Sequence, residues 1–198
     1  MTHESATNQS ASRRRFLTLW LAGAGAVLGS GVRAQAPLPA TPSCGAGPTP
    51  RQTEGPFFLP RSPRRANLRG DGSGDAVALF GRVLTPDCRP VADVIVDLWH
   101  ADAKGAYDER GFTFRAHQLT DADGRFAFQS ILPGRYPGRT AHFHVMLAKA
   151  GRRLLTTQLY FPGQAGNARD GLFTPKLLVS LSNAGSEKAA RFDFVVAG

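Results

Sequence analysis

From position 76 onward, apolar and polar residues alternate in short runs. Over 76–84, Val77, Leu79, Gly81 and Val83 share one face of a predicted strand. Val94, Val96 and Leu98 alternate with Asp93, Ile95 and Asp97 in a second strand that ends at Trp99. The turn Asp121-Ala122-Asp123-Gly124 leads into a strand marked by Phe126 and Phe128, a good hairpin signal. Asp121 and Asp123 belong to that turn, since the rest of a calcium loop is missing. Over 141–148, Phe143, Val145 and Leu147 form a core face, while His142, His144 and Met146 form the other. Over 154–161, Thr156, Gln158 and Tyr160 share a face, and 176–181 and 191–196 read as the last strands. Phe192, Phe194 and Val196 point inward in the last of these. This period-two pattern, punctuated by 22 Gly and 14 Pro, predicts an all-β, antiparallel β-sandwich. Residues 35–75 lack a helical pattern and predict an extended, Pro-rich arm with an apolar knot at 56–60.

The first 34 residues read differently. Ser12-Arg13-Arg14-Arg15-Phe16-Leu17 looks like a twin-arginine export signal. The uncharged run that follows, Phe16 to Val32, has 17 residues, short of the roughly 20 that span a bilayer. Small-residue cleavage sites fit after Ala34 and after Ala36, and Pro37 disfavours the second. The expectation is a signal peptide over 1–34, an arm over 35–75 and a sandwich over 76–198. It places the protein in the periplasm or outside the cell, with no stable membrane association after cleavage; the alternative is an uncleaved anchor. The net charge of +9 is partly in that leader, whose four arginines and one glutamate account for +3 and leave +6. The remaining arginines are scattered apart from one small cluster at 61–65, so nucleic-acid binding is not expected. Cys44 and Cys88 are the two cysteines, and export to an oxidising compartment predicts a bridge between them. Such a bridge would tie the arm to the first strands.

The chemistry concentrates at Tyr136-Pro137-Gly138-Arg139-Thr140-Ala141-His142-Phe143-His144. Two imidazoles on one strand face can ligate one metal ion. The chain has three tyrosines, Tyr107, Tyr136 and Tyr160, and a phenolate suits a hard, highly charged cation better than it suits zinc. The pair alone leaves open which tyrosines, if any, complete the site. A cupin would want a glutamate a few residues after His144, and none follows until Glu187; a 2-His-1-carboxylate centre is disfavoured because its second-ligand position holds His144 in place of Asp or Glu. His100 and His117 read as structural or surface residues, because a lone histidine is more often structural than a ligand.

Trp99-His100-Ala101-Asp102-Ala103-Lys104-Gly105-Ala106-Tyr107 resembles a ligand segment of the intradiol ring-cleavage dioxygenases. Pro133 to Pro137 and Arg139 to His144 resemble that family's later ligand segments. Thr53-Glu54-Gly55-Pro56-Phe57 resembles its substrate loop, and Thr157-Gln158-Leu159-Tyr160-Phe161 its strand after the histidines. The resemblance implies a prealbumin-like sandwich with one non-haem Fe(III) per chain, held by Tyr107, Tyr136, His142 and His144. It implies that a small aromatic diol and O2 are the partners, and that the ring opens between the hydroxyl-bearing carbons to a muconate-type diacid. Tyr136 would be the ligand that dissociates and takes a substrate proton, and Tyr107 would stay bound. Arg139 would stabilise negative charge developing on the ring, Gln158 would orient it, and Gly55, Pro56 and Trp99 would line the pocket; Tyr160 would be a packing residue. Tyr136 and His142 are six positions apart, less than in the protocatechuate enzymes, and Gly138 sits where those carry a pocket tryptophan. The helical dimerisation segment of the catechol enzymes has no counterpart. These departures resemble the small exported members and imply a more open pocket. Two other readings stand beside this one: a non-catalytic exported sandwich that binds or spaces, and a zinc hydrolase using the histidine pair.

Overall fold

Nine strands carry the alternation in a computed structural model that describes residues 44–45 and 47–197. The predicted signal peptide and its cleavage sites lie outside the described residues. The strands are β1 (Ala76–Leu84), β2 (Ile95–Trp99), β3 (Arg115–Leu119), β4 (Arg125–Ile131), β5 (His142–Lys149), β6 (Arg152–Tyr160), β7 (Ser180–Ala184), β8 (Glu187–Arg191) and β9 (Phe194–Val195). One sheet runs β4-β1-β8-β7, with β9 also pairing β1, and the other runs β3-β2-β5-β6. Among the described residues no helix is long and apolar enough to cross a membrane.

The two sheets share one core because each sends its apolar set inward. Val77, Leu79, Phe126 and Phe128 from the first sheet meet Val96, Leu98, Phe143, Val145 and Leu147 from the second, all buried. The expected all-β sandwich is therefore present. Its pairing is antiparallel except that β1 runs parallel to β8 and to β9. Phe192, Phe194 and Val196 are buried as the alternation requires.

Three elements differ from expectation. The strand expected over 176–181 begins with a 3-10 turn at Pro175–Leu177, and β7 starts at Ser180. β8 lies before the strand expected over 191–196; Ala190 is its one buried residue, so no apolar rhythm marks it. β3 reads as a polar run, because Arg115 and His117 lie on an outer face that the arm covers.

The arm is a strap across that outer face. Thr49 pairs with Val195, Gln52 N–H donates to the Thr156 carbonyl, and Thr157 Oγ1 donates to the Pro50 carbonyl (2.7 Å). Further on, His117 N–H donates to the Pro63 carbonyl and Leu68 N–H to the Gln129 carbonyl. Near its start, Cys44 and Cys88 are free thiols. They are neighbours, and a hydrogen bond with Cys88 is the main cause that pushes the Cys44 thiol up.

Under the strap, Asp97 is buried and accepts from Ser62 Oγ (2.8 Å), with its cross-strand partner His117 and with Arg115 beside it. Desolvation pushes its carboxyl up from 3.8 to about 6, against the Ser62 hydrogen bond and the charges of His117 and Arg115. The folded state thus holds this proton more tightly than the unfolded state. The contribution is fully present below pH 3.8 and is lost as pH rises through about 6. A shift of this size corresponds to roughly 3 kcal/mol. Asp97→Asn keeps the acceptor for Ser62, so it should match the wild type near pH 4 and exceed it by roughly 1–3 kcal/mol at pH 7.5 in urea unfolding. Equal losses at both pH values would contradict this.

Candidate metal centre

Strand β5 builds half of the site. Period two turns His142 and His144 to the outer face, and their Nε2 atoms are 3.0 Å apart. His142 Nδ1 lies 2.6 Å from the Thr140 carbonyl, which only accepts, so the ring proton sits on Nδ1 and leaves a lone pair on Nε2. His144 stacks on Trp99 (centroids 5.0 Å, interplanar angle 10°), its cross-strand neighbour on β2. Burial lowers the His142 imidazole to about 4, helped by the Arg139 charge. His144 is pushed well below its ordinary value, by burial first and then by His142. Both rings are therefore neutral, the form that binds metal.

The other half comes from two loops. Tyr107 OH is 3.5 Å from His142 Nε2. Tyr136 closes the group, with ring centroids 5.9 Å from Tyr107 and 5.8 Å from His142. Burial, then the neighbouring Tyr136, push the Tyr107 phenol well above its ordinary value. The two loops interlock through their glycines. Gly134 N–H donates to the Asp102 carbonyl, and a Cβ on Gly134 would meet Ala103 O and Gly105 N at 2.5 Å. Gly105 itself has φ +87, and a Cβ there would lie 2.4 Å from Arg135 O. Behind Tyr107, the fully buried Arg115 donates Nε and Nη2 to the Asp108 carbonyl (3.1 and 2.7 Å).

This donor set fits a ferric ion. The His142 Nε2 lone pair lies 3.0 Å from His144 Nε2, both near two phenol oxygens, and His144 Nδ1 is buried without a hydrogen-bond partner. Among the described residues no three His, Cys, Asp or Glu side chains gather to hold a metal. Any ion held here therefore uses the phenols, which as hard anionic oxygens suit Fe(III).

Arg139 stands at the rim and is held firmly. Its Nε donates to both oxygens of Asp170 (3.2 and 3.0 Å), and its Nη2 donates to Gln158 Oε1. Burial works against both charges of this pair. The hydrogen bonds and Coulomb attraction outweigh it, raising the arginine and lowering the acid. Asp170 also accepts from Thr140 N–H (2.9 Å) and Leu172 N–H (2.9 Å). Gln158, opposite His144 in the sheet, donates Nε2 to the Thr53 carbonyl (3.0 Å), so both ends of its amide are engaged. The Tyr160 hydroxyl lies 2.9 Å from Gln52 Oε1, 3.1 Å from Gln158 Oε1 and 3.0 Å from the Leu172 carbonyl. Expected as a packing residue, it is buried with its ring 6.1 Å from that of His142, and its hydroxyl serves as a hub between arm, strand and loop.

The arm roofs the site. A Cβ on Gly55 would lie 3.4 Å from His144 Cε1, while Pro56 is exposed beside it. Phe57 stacks on Tyr107 (4.3 Å, 13°) and Phe58 packs on Trp99 (5.0 Å). The fold thus gathers Tyr107, Tyr136, His142, His144, Arg139, Gln158, Gly55 and Trp99 in one place. His100 is structural, between the Ala101 carbonyl and Ser130 Oγ (both 2.7 Å), and His117 anchors the strap at the Ser62 carbonyl (2.7 Å). The sequence reading missed Asp170, Arg115, Gln52 and Phe57. Of these only Phe57 carried a signal, as part of the apolar knot.

Comparison with known proteins agrees with this geometry. A family model described as "Dioxygenase" matches residues 53–198. Catechol 1,2-dioxygenase 2 of Acinetobacter lwoffii is 32% identical over 160 residues, 64% of this chain and 58% of the relative. Hydroxyquinol 1,2-dioxygenase of Nocardioides simplex is 33% identical over 147 residues, 62% of this chain and 50% of the relative. The chain thus spans about half the length of the curated relatives it matches. Among solved structures, the dioxygenase domain of a dioxygenase carbohydrate-binding protein fusion from Streptomyces sp. SirexAA-E is 49% identical. It superposes with a TM-score of 0.72 over 75% of this chain and 97% of that domain. The matched family and the arrangement of phenols and imidazoles agree: this chain belongs to the intradiol ring-cleavage dioxygenase family, whose members use non-haem ferric iron.

Proposed function

We propose that this protein opens the ring of catechol-type aromatics between the two hydroxyl-bearing carbons, using O2 and one ferric ion held by Tyr107, Tyr136, His142 and His144. The observation that carries the reading is the convergence of two phenols on a neutral, buried imidazole pair beside a fixed guanidinium. Bound there, the ferric ion would supply a Lewis acid that holds the diol as a dianion and makes its ring reactive toward O2.

The chain's own groups supply the rest. Tyr136, half-buried and lining an open cavity at the rim, is the ligand that would leave as a phenolate and take a substrate proton at its oxygen. Tyr107 is clamped under Phe57 and stays. Arg139 keeps its charge at all working pH values and offers it to a developing oxyanion, while Asp170 fixes its direction. Gln158, engaged at both ends, acts by positioning Arg139 and the Thr53 loop. Gly55 and Trp99 shape the floor and roof around His144, and Pro56 adds rim. The zinc-hydrolase reading loses ground, because the described residues offer no third histidine or acid for the pair.

Ring opening of catechol under 18O2 should give a muconate-type diacid carrying both labelled atoms. Cleavage outside the diol, or a single labelled oxygen, would refute the assignment. We also infer export through the twin-arginine route and a Cys44–Cys88 bridge, on the motif at 12–17 and the contact of the two thiols. The intact mass of protein recovered from the periplasm should lack residues 1–34 and a further 2 Da, about one disulfide's loss of two hydrogens. Retained mass, or two alkylatable thiols in unreduced protein, would count against these inferences.

A further inference from the structure

Arg115 is a buried cation for which the fold supplies no carboxylate. The residue is 1% exposed, its Nη1 makes no hydrogen bond, and among the described residues it joins no ion pair. A guanidinium does not shed its proton to escape burial, so an uncompensated one is costly. The two acids nearby are engaged elsewhere. Asp108 turns its carboxylate to the N–H groups of Arg110, Gly111 and Thr113 (3.1, 2.8 and 3.0 Å) and offers Arg115 only its main-chain carbonyl. Asp97 accepts from Ser62 (2.8 Å), and burial works against its own ionisation. Burial lowers the Arg115 guanidinium, and Asp108, Tyr107 and Asp97 raise it, in that order. Of these three, only Tyr107 gains negative charge by becoming a metal ligand.

Geometry joins the two residues as well. Arg115 Nε and Nη2 both donate to the carbonyl of the residue directly after Tyr107 (3.1 and 2.7 Å), which fixes the peptide that carries the phenol. Arg115 itself stands on a strand. It is paired across β3 and β2 with Trp99, which is paired with His144 on β5, which is paired with Gln158 on β6. Directly paired residues point to one face, so a single row of the sheet presents Arg115, Trp99, His144 and Gln158 together. Arg139 also acts on Tyr107, but it is paired with Asp170, whereas Arg115 has no anion of its own. We propose that Arg115 is a positioning residue of the metal centre: it holds the Tyr107 loop by its main chain and supplies the positive charge that keeps Tyr107 in place as a bound phenolate. This rests on the ferric reading above and adds to it a reason why Tyr107 is the phenol that stays.

The test reads the visible band of the iron-loaded, full-length protein, which needs no turnover. Moving an electron from a phenolate to iron becomes easier when a cation beside the phenolate is removed. Arg115→Met should therefore shift the band to longer wavelength by roughly 10 nm, the effect of one nearby charge at an intermediate dielectric. Arg115→Lys keeps the charge and should return the band to near its wild-type position. In Tyr136→Phe, whose remaining band comes from Tyr107, Arg115→Met should produce the same displacement. A folded, iron-loaded Arg115→Met with an unmoved band would overturn the proposal, as would a displacement that disappears with Tyr136. Should Arg115→Met not fold, Asp97→Asn, expected above to be more stable than the wild type near pH 7.5, tests the charge from the other side. It removes the buried carboxylate beside Arg115, so the band should move to shorter wavelength, and an unmoved band would overturn the proposal. A wild type without any visible band would remove the ferric reading and this role together.

Discussion

Two imidazole nitrogens are held 3.0 Å apart out of water, and the rest of the site is arranged around that pair. Strand alternation on β5 creates the pair. Trp99 from β2 braces one ring, and the Thr140 carbonyl fixes the tautomer of the other. The strap over the outer face keeps water away and lowers the proton affinity of both rings. Neutral imidazoles alone would leave a trivalent ion undercompensated, so the two phenols are needed as anionic partners.

Those phenols come from loops, and loops need to be fixed before they can serve as ligands. Here the interlock of Gly105 with Gly134 and the buried Arg115 behind Asp108 do the fixing. The two tyrosines are not held alike. Tyr107 is sandwiched under Phe57, whereas Tyr136 faces the rim and the open cavity there. That difference in confinement is the structural basis for assigning one as the fixed ligand and the other as the proton acceptor. A second charged system, Arg139 with Asp170, Gln158 and Tyr160, joins the rim to β6 and to the arm.

Much of the sandwich was legible in the sequence, because its inward faces are apolar at every second residue. β1, β2, β4, β5 and β6 followed that rhythm. β3 and β8 did not, since one is buried under a polar strap and the other buries a single alanine. The proposed ligands were legible in another way: His142 and His144 from periodicity, and the tyrosines only through resemblance to a family. Asp170 and Arg115 were invisible because their roles come from tertiary contacts with Arg139 and with the loop of Tyr107, from which they are 31 and 7 residues away in sequence. The two cysteines are a middle case. Their pairing was expected from compartment, and the fold brings them together as thiols.

The central claim is that two tyrosines and two histidines form one ferric centre. The most direct measurement is the visible spectrum and iron content of protein purified in air. The account predicts one iron per chain and a red-brown band from tyrosinate charge transfer, altered in Tyr136→Phe. A colourless protein without iron, or a band that Tyr136→Phe leaves unchanged, would contradict it.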